Sequence, residues 1–259
     1  MRTGGVMSGM RLLARPGQEE GALLTAPGRD IAVTAVVVVL TAGVFVAVAD
    51  HGTLLSIKRW DDTWLRLMIS GRAPPLTAIA MALNVLGLVY VTLPVRIALA
   101  GFLALQRRWW HLAAFIAAVL ASEVLIGVLK GIYDRARPPG SLVATTGASF
   151  PSGHAIATSV TAVAAVIALV PPGRRRAWWG AAAVTFSILM GLSRAYLAAH
   201  WLSDAVAGVL LGTSCALTAA LAVGLLQRWW QRSWQRPAGA HRMVDVPPPD
   251  EVAGRRRTA

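Results

Sequence analysis

Three short clusters hold the side chains of this chain that could do chemistry together: Lys130-x6-Arg137-Pro138, Pro151-Ser152-Gly153-His154 and Ser193-Arg194-x5-His200-x3-Asp204. They pool three permanent cations, two imidazoles and one carboxylate. Cations that clamp an anion, one imidazole that attacks it and a second that protonates the leaving group make a set suited to phosphate chemistry. Lys130 and Arg137 stand seven residues apart, nearly two helical turns, so a helix would carry both on one side. Pro138 disfavours helical geometry at Arg137, so the helix is expected to fray there and offer the two cations from adjacent positions. Ser152 suits an N-cap and Gly153 leaves the backbone amides open. The helix that follows would therefore present free N–H groups and its positive dipole end to an anion, with His154 beside it. His200 and Asp204, four apart, share a helical face. There Asp204 can accept from one ring nitrogen and leave the other free to attack. Arg194 is six residues from His200 and off that face, so a turn must bring the two together.

Each cluster has a plainer reading on its own. Basic residues often end a membrane span and snorkel to the interface, and a histidine after a capping turn can be merely interfacial. His154, His200 and Asp204 could also ligate a metal. Lys130, Arg137 and Arg194 would surround the same space, however, and three fixed positive charges repel a divalent cation while suiting a phosphate and its transition state. Neither a metal nor another cofactor is expected. The single cysteine, Cys215, lies in an apolar run, has no partner for an internal disulfide, and reads as a small buried apolar side chain.

The elements that must position these residues follow from composition. Of 259 residues, 56% are hydrophobic and 14% charged, against about 25% charged in a soluble domain. Several apolar runs reach the roughly 20 residues that cross a bilayer. The expected class is an all-α polytopic membrane protein: a six-transmembrane-helix bundle with one interfacial amphipathic helix. The spans are read as Ile31–Ala49, Val89–Leu105 after a short helix that ends near Gly87, His111–Lys130, Ala155–Val170, Trp178–Arg194 and Leu202–Leu226. Ala47-Val48-Ala49 resembles a signal cleavage site, but the region before it is long and acidic, so the first run is read as a retained span. Over residues 53–70, Ile57, Trp60, Trp64, Leu67 and Met68 recur at helical spacing among charged residues, the pattern of a helix lying at the interface and ended by Pro74-Pro75. Arg96 lies inside an apolar run, where it would snorkel, pair with Glu123 or face the bundle interior, a structural rather than a catalytic role. Gly208 and Gly212 would allow close helix contact. Residues 1–30 read as a flexible cytoplasmic tail, 31–226 as the membrane domain and 227–259 as a basic cytoplasmic tail.

The net charge of +13 is confined to tails and short loops beside apolar runs, with no interleaved aromatic surface, so membrane orientation explains it and nucleic acid does not. Six spans put both termini on one side, which then carries 16 of the 25 Lys and Arg. That side is expected to be cytoplasmic, and all three clusters then meet on the opposite face, outside the cell.

In order and spacing the three clusters resemble the signature of the type 2 phosphatidic acid phosphatase (lipid phosphate phosphatase) superfamily, with bacterial prenyl diphosphate phosphatases and, more distantly, vanadium haloperoxidases among its relatives. The resemblance covers residues 130–204 by motif and every signature position matches. It implies that His200 is the nucleophile and forms a phosphohistidine, that Asp204 orients it, and that His154 protonates the leaving oxygen and later activates water. It implies Lys130, Arg137 and Arg194 as phosphate ligands, assisted by Ser152 and Gly153. Ser193 belongs to the motif without a clear role, and Arg135 and Tyr196 stand nearby unassigned. The expected activity is metal-independent hydrolysis of a membrane lipid monophosphate or diphosphate at the outer face. Undecaprenyl diphosphate is favoured, and phosphatidylglycerophosphate or phosphatidic acid are the alternatives. A lipid phosphotransferase would use the same intermediate. A phospholipid transporter would instead show ionisable groups at mid-membrane, whereas here they gather at span ends apart from Arg96 and Glu123. No feature sets the oligomeric state.

Overall fold

The computed structural model describes residues 21–235. Among them are eight α-helices and no strand: α1 (Pro27–Ala49), α2 (His51–Ser70), α3 (Pro74–Leu86), α4 (Val89–Leu105), α5 (Trp109–Tyr133), α6 (Gly153–Leu169), α7 (Arg174–Tyr196) and α8 (Leu202–Gln235). From Leu226 the chain forms a second compact unit, of which the described part simply continues α8.

Local signals set the helix limits. Proline at the first turn starts α1 and α3 without losing a needed N–H. Asp50 caps α2 by accepting from the backbone N–H and the hydroxyl of Thr53 at 2.9 and 2.8 Å. The break at Gly87-Leu88 separates α3 from α4, which meet at a bend of 51°. α1 begins four residues before Ile31, and Leu23 and Leu24 ahead of it are buried, so the tail expected over residues 1–30 is shortened at its inner end. Residues 1–20 and 236–259, the outer parts of both expected tails, lie outside the described residues.

Three helices are long and apolar enough to cross a membrane by themselves: α1, α5 and the Leu202–Ser233 stretch of α8. The bent pair α3–α4 counts as a fourth if taken as one span. α6 has 17 residues, a rise of about 26 Å, and α7 opens on Arg174-Arg175-Arg176. α6 is the helix the others surround: Ala155, Ile156, Ser159 and Val160 are all buried. It lies so close to α8 that a Cβ at Gly208 would come within 2.7 Å of the Ser152 carbonyl, and one at Gly212 within 2.6 Å of the Ile156 carbonyl. The pair of small residues thus sets the approach expected for it.

Several polar groups inside the bundle pair across helices. Arg96 of α4 donates from Nη1 to Glu123 Oε1 of α5 at 2.6 Å and from Nε to Thr161 Oγ1 of α6 at 2.9 Å, tying three helices. Thr41 of α1 and Ser214 of α8 share a hydrogen bond of 2.7 Å. An aromatic cluster of Phe45, Tyr133 and Phe150, with ring centroids 4.7 to 5.7 Å apart, joins the end of α1 to the end of α5 and the loop after it.

The amphipathic α2 turns a different stripe inward from the one its apolar residues suggest. Asp61 and Leu65 are its buried positions, with Ile57 and Met68 packed on the core clusters, while Trp60 is 76% exposed and Leu67 also faces outward. The reason is polar: the buried carboxylate of Asp61 gains donors from two other segments, and this outweighs the burial of Trp60.

Candidate active site

The C-terminal ends of α5 and α7, the N-terminal ends of α6 and α8, and the loop 134–152 meet at one end of the bundle. His200 occupies the short turn between α7 and α8 and is buried. That turn doubles back because Ala198 takes a positive φ of 54° and the N–H groups of Ala199 and His200 both donate to the Arg194 carbonyl. This is the turn that Arg194 and His200 needed to meet.

The ring of His200 is held from both sides. Nδ1 is 2.7 Å from the backbone carbonyl of Ser149, which can only accept, so this nitrogen carries the proton. Arg137 Nη1 is 3.2 Å from Nε2, and a guanidinium can only donate, so Nε2 presents its lone pair. Asp204 Oδ2 stands 3.6 Å from Nδ1, beyond hydrogen-bonding distance but close enough to stabilise charge on the ring. The i, i+4 spacing thus brings the two side chains together as expected, yet the direct acceptor is a backbone carbonyl from the loop. Burial pushes the His200 imidazole below its ordinary value of 6.5, with Asp204 opposing and Arg137 and Arg194 reinforcing the shift.

Asp204, wholly buried, is saturated with donors: Arg135 Nη1 at 2.7 Å, the Trp201 backbone N–H at 2.9 Å and the Ser149 hydroxyl. Arg135 also donates from Nη1 to Ser203 Oγ and from Nη2 to Asp61 Oδ2, each at 2.7 Å, and stacks over the Trp201 ring. Asp61 in turn accepts from the Ser203 backbone N–H at 2.9 Å and from its hydroxyl at 2.6 Å.

The cations approach the same space. Arg137 commits all five N–H donors, to the carbonyls of Thr146, Gly147, Ala148 and Ala199 and to His200. Lys130 Nζ donates to the Ala148 carbonyl at 3.0 Å. Both cations therefore grip the 146–148 segment, which they reach because Asp134 ends α5 in a left-handed conformation. Arg194 donates from Nη1 to Asn84 Oδ1 of α3, and the main chain of Asn84 hydrogen-bonds the His154 ring. His154 itself lies against Gly87, where a Cβ would fall 2.4 Å from its Cδ2.

Three buried polar atoms here have no hydrogen-bond partner among the described residues: Ser152 Oγ, His154 Nε2 and Arg194 Nε. Each orphaned group costs on the order of 1–3 kcal/mol if nothing satisfies it. Ser152 is expected to cap α6, but its side chain makes no cap bond; its backbone N–H donates to the Asp204 carbonyl and its own carbonyl accepts from Ile156 N–H, each at 3.1 Å. Gly153 is the first residue of α6, its φ unexceptional and the space at its Cα open. One hydroxyl, one imidazole and one guanidinium with unused hydrogen-bonding capacity beside a lone-pair-bearing His200 form a cradle for a tetrahedral anion. Among the described residues no group of three or more His, Cys, Asp or Glu could hold a metal ion.

Asp61, Ser149 and Asn84 were not foreseen as parts of this end, and Arg135, which stands near the motifs in sequence, had no assigned role. Asp61 did leave a trace: it breaks the apolar series at four residues from both Ile57 and Leu65. Ser149 and Asn84 left none, because one acts through its carbonyl and the other reaches in from a distant helix. Ser193 donates to the Met190 carbonyl within α7, and Tyr196 accepts from Ala73 N–H at 3.1 Å and bonds Thr77 Oγ1 at 2.9 Å, so both hold helices.

Residues 109–228 match the family model described as PAP2 superfamily. The chain is 25% identical over 162 residues to phosphatidylglycerophosphatase B of Bacillus subtilis (strain 168), spanning 61% of this chain and 80% of that protein. The crystal structure of the first transmembrane PAP2 type phosphatidylglycerolphosphate phosphatase from Bacillus subtilis superposes with a TM-score of 0.63 at 20% identity, over 78% of this chain and 98% of the other, a likeness of fold. The crystal structure of Aquifex aeolicus LpxE gives 0.50 at 25% identity, over 60% of this chain and 91% of the other.

Proposed function

We propose that this chain, whose residues 109–228 match the PAP2 superfamily model, is an integral membrane phosphatase that cleaves a lipid phosphomonoester or diphosphate through a phosphohistidine. The observation that carries this reading is the pairing of a His200 ring whose Nε2 lone pair faces a guanidinium with three unpartnered buried polar atoms, Ser152 Oγ, His154 Nε2 and Arg194 Nε.

The steps balance as follows. A phosphate entering the cradle takes donors from Arg194, Ser152 and Lys130 and displaces His200 from Arg137 Nη1, which frees Nε2. Nε2 attacks phosphorus, the N–P bond forms and the P–O bond to the lipid breaks. His154 delivers a proton to the departing oxygen. Burial first, then the charge of Arg194, disfavours a proton on the His154 ring, and the negative charge of the bound phosphate offsets this so that His154 can carry one. In the second half, water loses a proton to His154 and attacks phosphorus, the N–P bond breaks, and inorganic phosphate and neutral His200 are left. The positive charge that the ring carries while phosphorylated is stabilised by Asp204 at 3.6 Å. Lys130, Arg137 and Arg194 offset the charge of the phosphate without a metal, and they repel one.

The reading extends to topology and substrate. Six spans, α6 and α7 among them, would put both termini in the cytoplasm and the site on the outer face. An outer-face site favours undecaprenyl diphosphate. The names of the Bacillus subtilis relatives favour a second substrate, phosphatidylglycerophosphate. Phosphate release from undecaprenyl diphosphate, phosphatidylglycerophosphate and phosphatidic acid by the purified protein in detergent decides among them. Hydrolysis of none, with transfer to an added lipid acceptor, would establish the phosphotransferase alternative. Activity is expected to survive EDTA and to be blocked by vanadate; loss with EDTA and recovery with a divalent cation contradicts the mechanism.

A further inference from the structure

The geometry points to Asp61 of α2 as a positioning residue for the nucleophile: through Arg135 it fixes Asp204 behind His200 and keeps the charge of that assembly at minus one. The inference rests on the reading of His200 as nucleophile.

Asp61 is 1% exposed and lies 142 residues before Ser203. It binds the backbone N–H and the hydroxyl of Ser203, next to Asp204, and it shares Arg135 with Asp204 through separate guanidinium nitrogens. The planar fork of Arg135 is thereby pinned at both ends. Docking α2 alone does not call for this. A buried carboxylate is costly, and an apolar residue of similar size at a docking position is often neutral or better. Two buried carboxylates on one guanidinium do something an apolar contact cannot: they leave one uncompensated negative charge on the side of the ring that must become positive.

The groups facing that ring are Asp204 from α8, Arg137 from the 134–152 loop, Arg194 from α7 and His154 from α6. Lys130 of α5 also acts on Asp204. The cations around the ring outnumber the carboxylates, so loss of the Asp61 charge leaves the ring in a more positive field. Two effects follow in opposite places. The free ring protonates only at lower pH, and the charged phosphorylated ring becomes harder to form.

The experiment uses the full-length protein in detergent micelles with undecaprenyl diphosphate and, separately, phosphatidylglycerophosphate. Asp61→Asn is expected to lower kcat on the order of 10²-fold, the scale of a small misplacement at a reacting group. KM should change less than about twofold, and the acid limb of the kcat/KM profile should move to lower pH. Asp61→Glu, which restores the charge, should return the limb to its wild-type position. Arg135→Lys keeps the charge but reaches only one carboxylate; it should lose kcat without moving the limb. The inference is overturned if Asp61→Asn keeps wild-type kcat, or if it loses kcat with the limb unmoved, since that marks docking alone. If Asp61→Asn does not fold, full activity of Arg135→Lys overturns it as well. A wild type inactive on both lipids sinks the functional reading instead, so the two failures are distinct.

Discussion

Arg137 and His200 form the contact on which the chemistry turns. In the proposed mechanism the guanidinium that Nε2 contacts covers the resting nucleophile, and the phosphate exchanges places with it. His200→Ala should therefore remove turnover by several orders of magnitude while leaving the protein folded, and it should abolish a phosphoenzyme trapped with labelled substrate. Retained activity in that variant contradicts the assignment. The pH profile belongs to the same residue. Attack needs the neutral ring, and burial shifts His200 below 6.5. A lowered value means that the neutral form persists as pH falls past 6.5, so the acid limb of kcat/KM should lie below that point. A limb at 7 or above would show that the carboxylate outweighs burial. The carbonyl of Ser149 as the partner of Nδ1 was not legible in the sequence, because any residue type supplies a carbonyl and only the path of the loop puts it there.

Helices carry the next level of constraint. Gly208 and Gly212 let α8 lie against α6, and this seats Asp204 over Ser152. Gly212→Ala would drive a methyl group into Ser159 and the Ile156 carbonyl. Overpacking of this kind costs on the order of 1–3 kcal/mol, read as a fall in Tm in detergent and loss of activity; an unchanged Tm would mean that α8 moves freely. Gly87 has a more local task, since a side chain there meets the ring of His154. Gly87→Ala is expected to depress kcat with little effect on Tm, because the chain is already at a helix end. α2 shows why helix patterns alone mislead. Its apolar residues describe one stripe, but a carboxylate with two outside partners rotates the helix so that Trp60 faces outward. Periodicity ranks side chains by hydrophobicity and has no knowledge of a guanidinium arriving from residue 135.

At the scale of the molecule, the bundle gathers helix ends of alternate direction, so that clusters up to 74 residues apart in sequence share one face. Its sidedness can be tested directly. In a Cys215→Ala background, Ala144→Cys on the site loop should react with a membrane-impermeant maleimide in intact cells. Arg175→Cys, in the first turn of α7, should react only after permeabilisation. The reverse pattern would turn the site to the cytoplasm and remove the case for an outer-leaflet substrate.

The all-helical class, the membrane setting and the residues of the three clusters were determined by the sequence, because composition, apolar run length and short motifs are local properties. Pairing with Glu123 was one of three readings the sequence left open for Arg96, and the packed helices select it. Only the tertiary structure decided that Ser149 holds the His200 ring, that Ser152 leaves its capping duty, and that Asp61 and Arg135 join Asp204. Those contacts join segments far apart in the chain, and their energy depends on distance and burial, which no residue carries until the helices have packed.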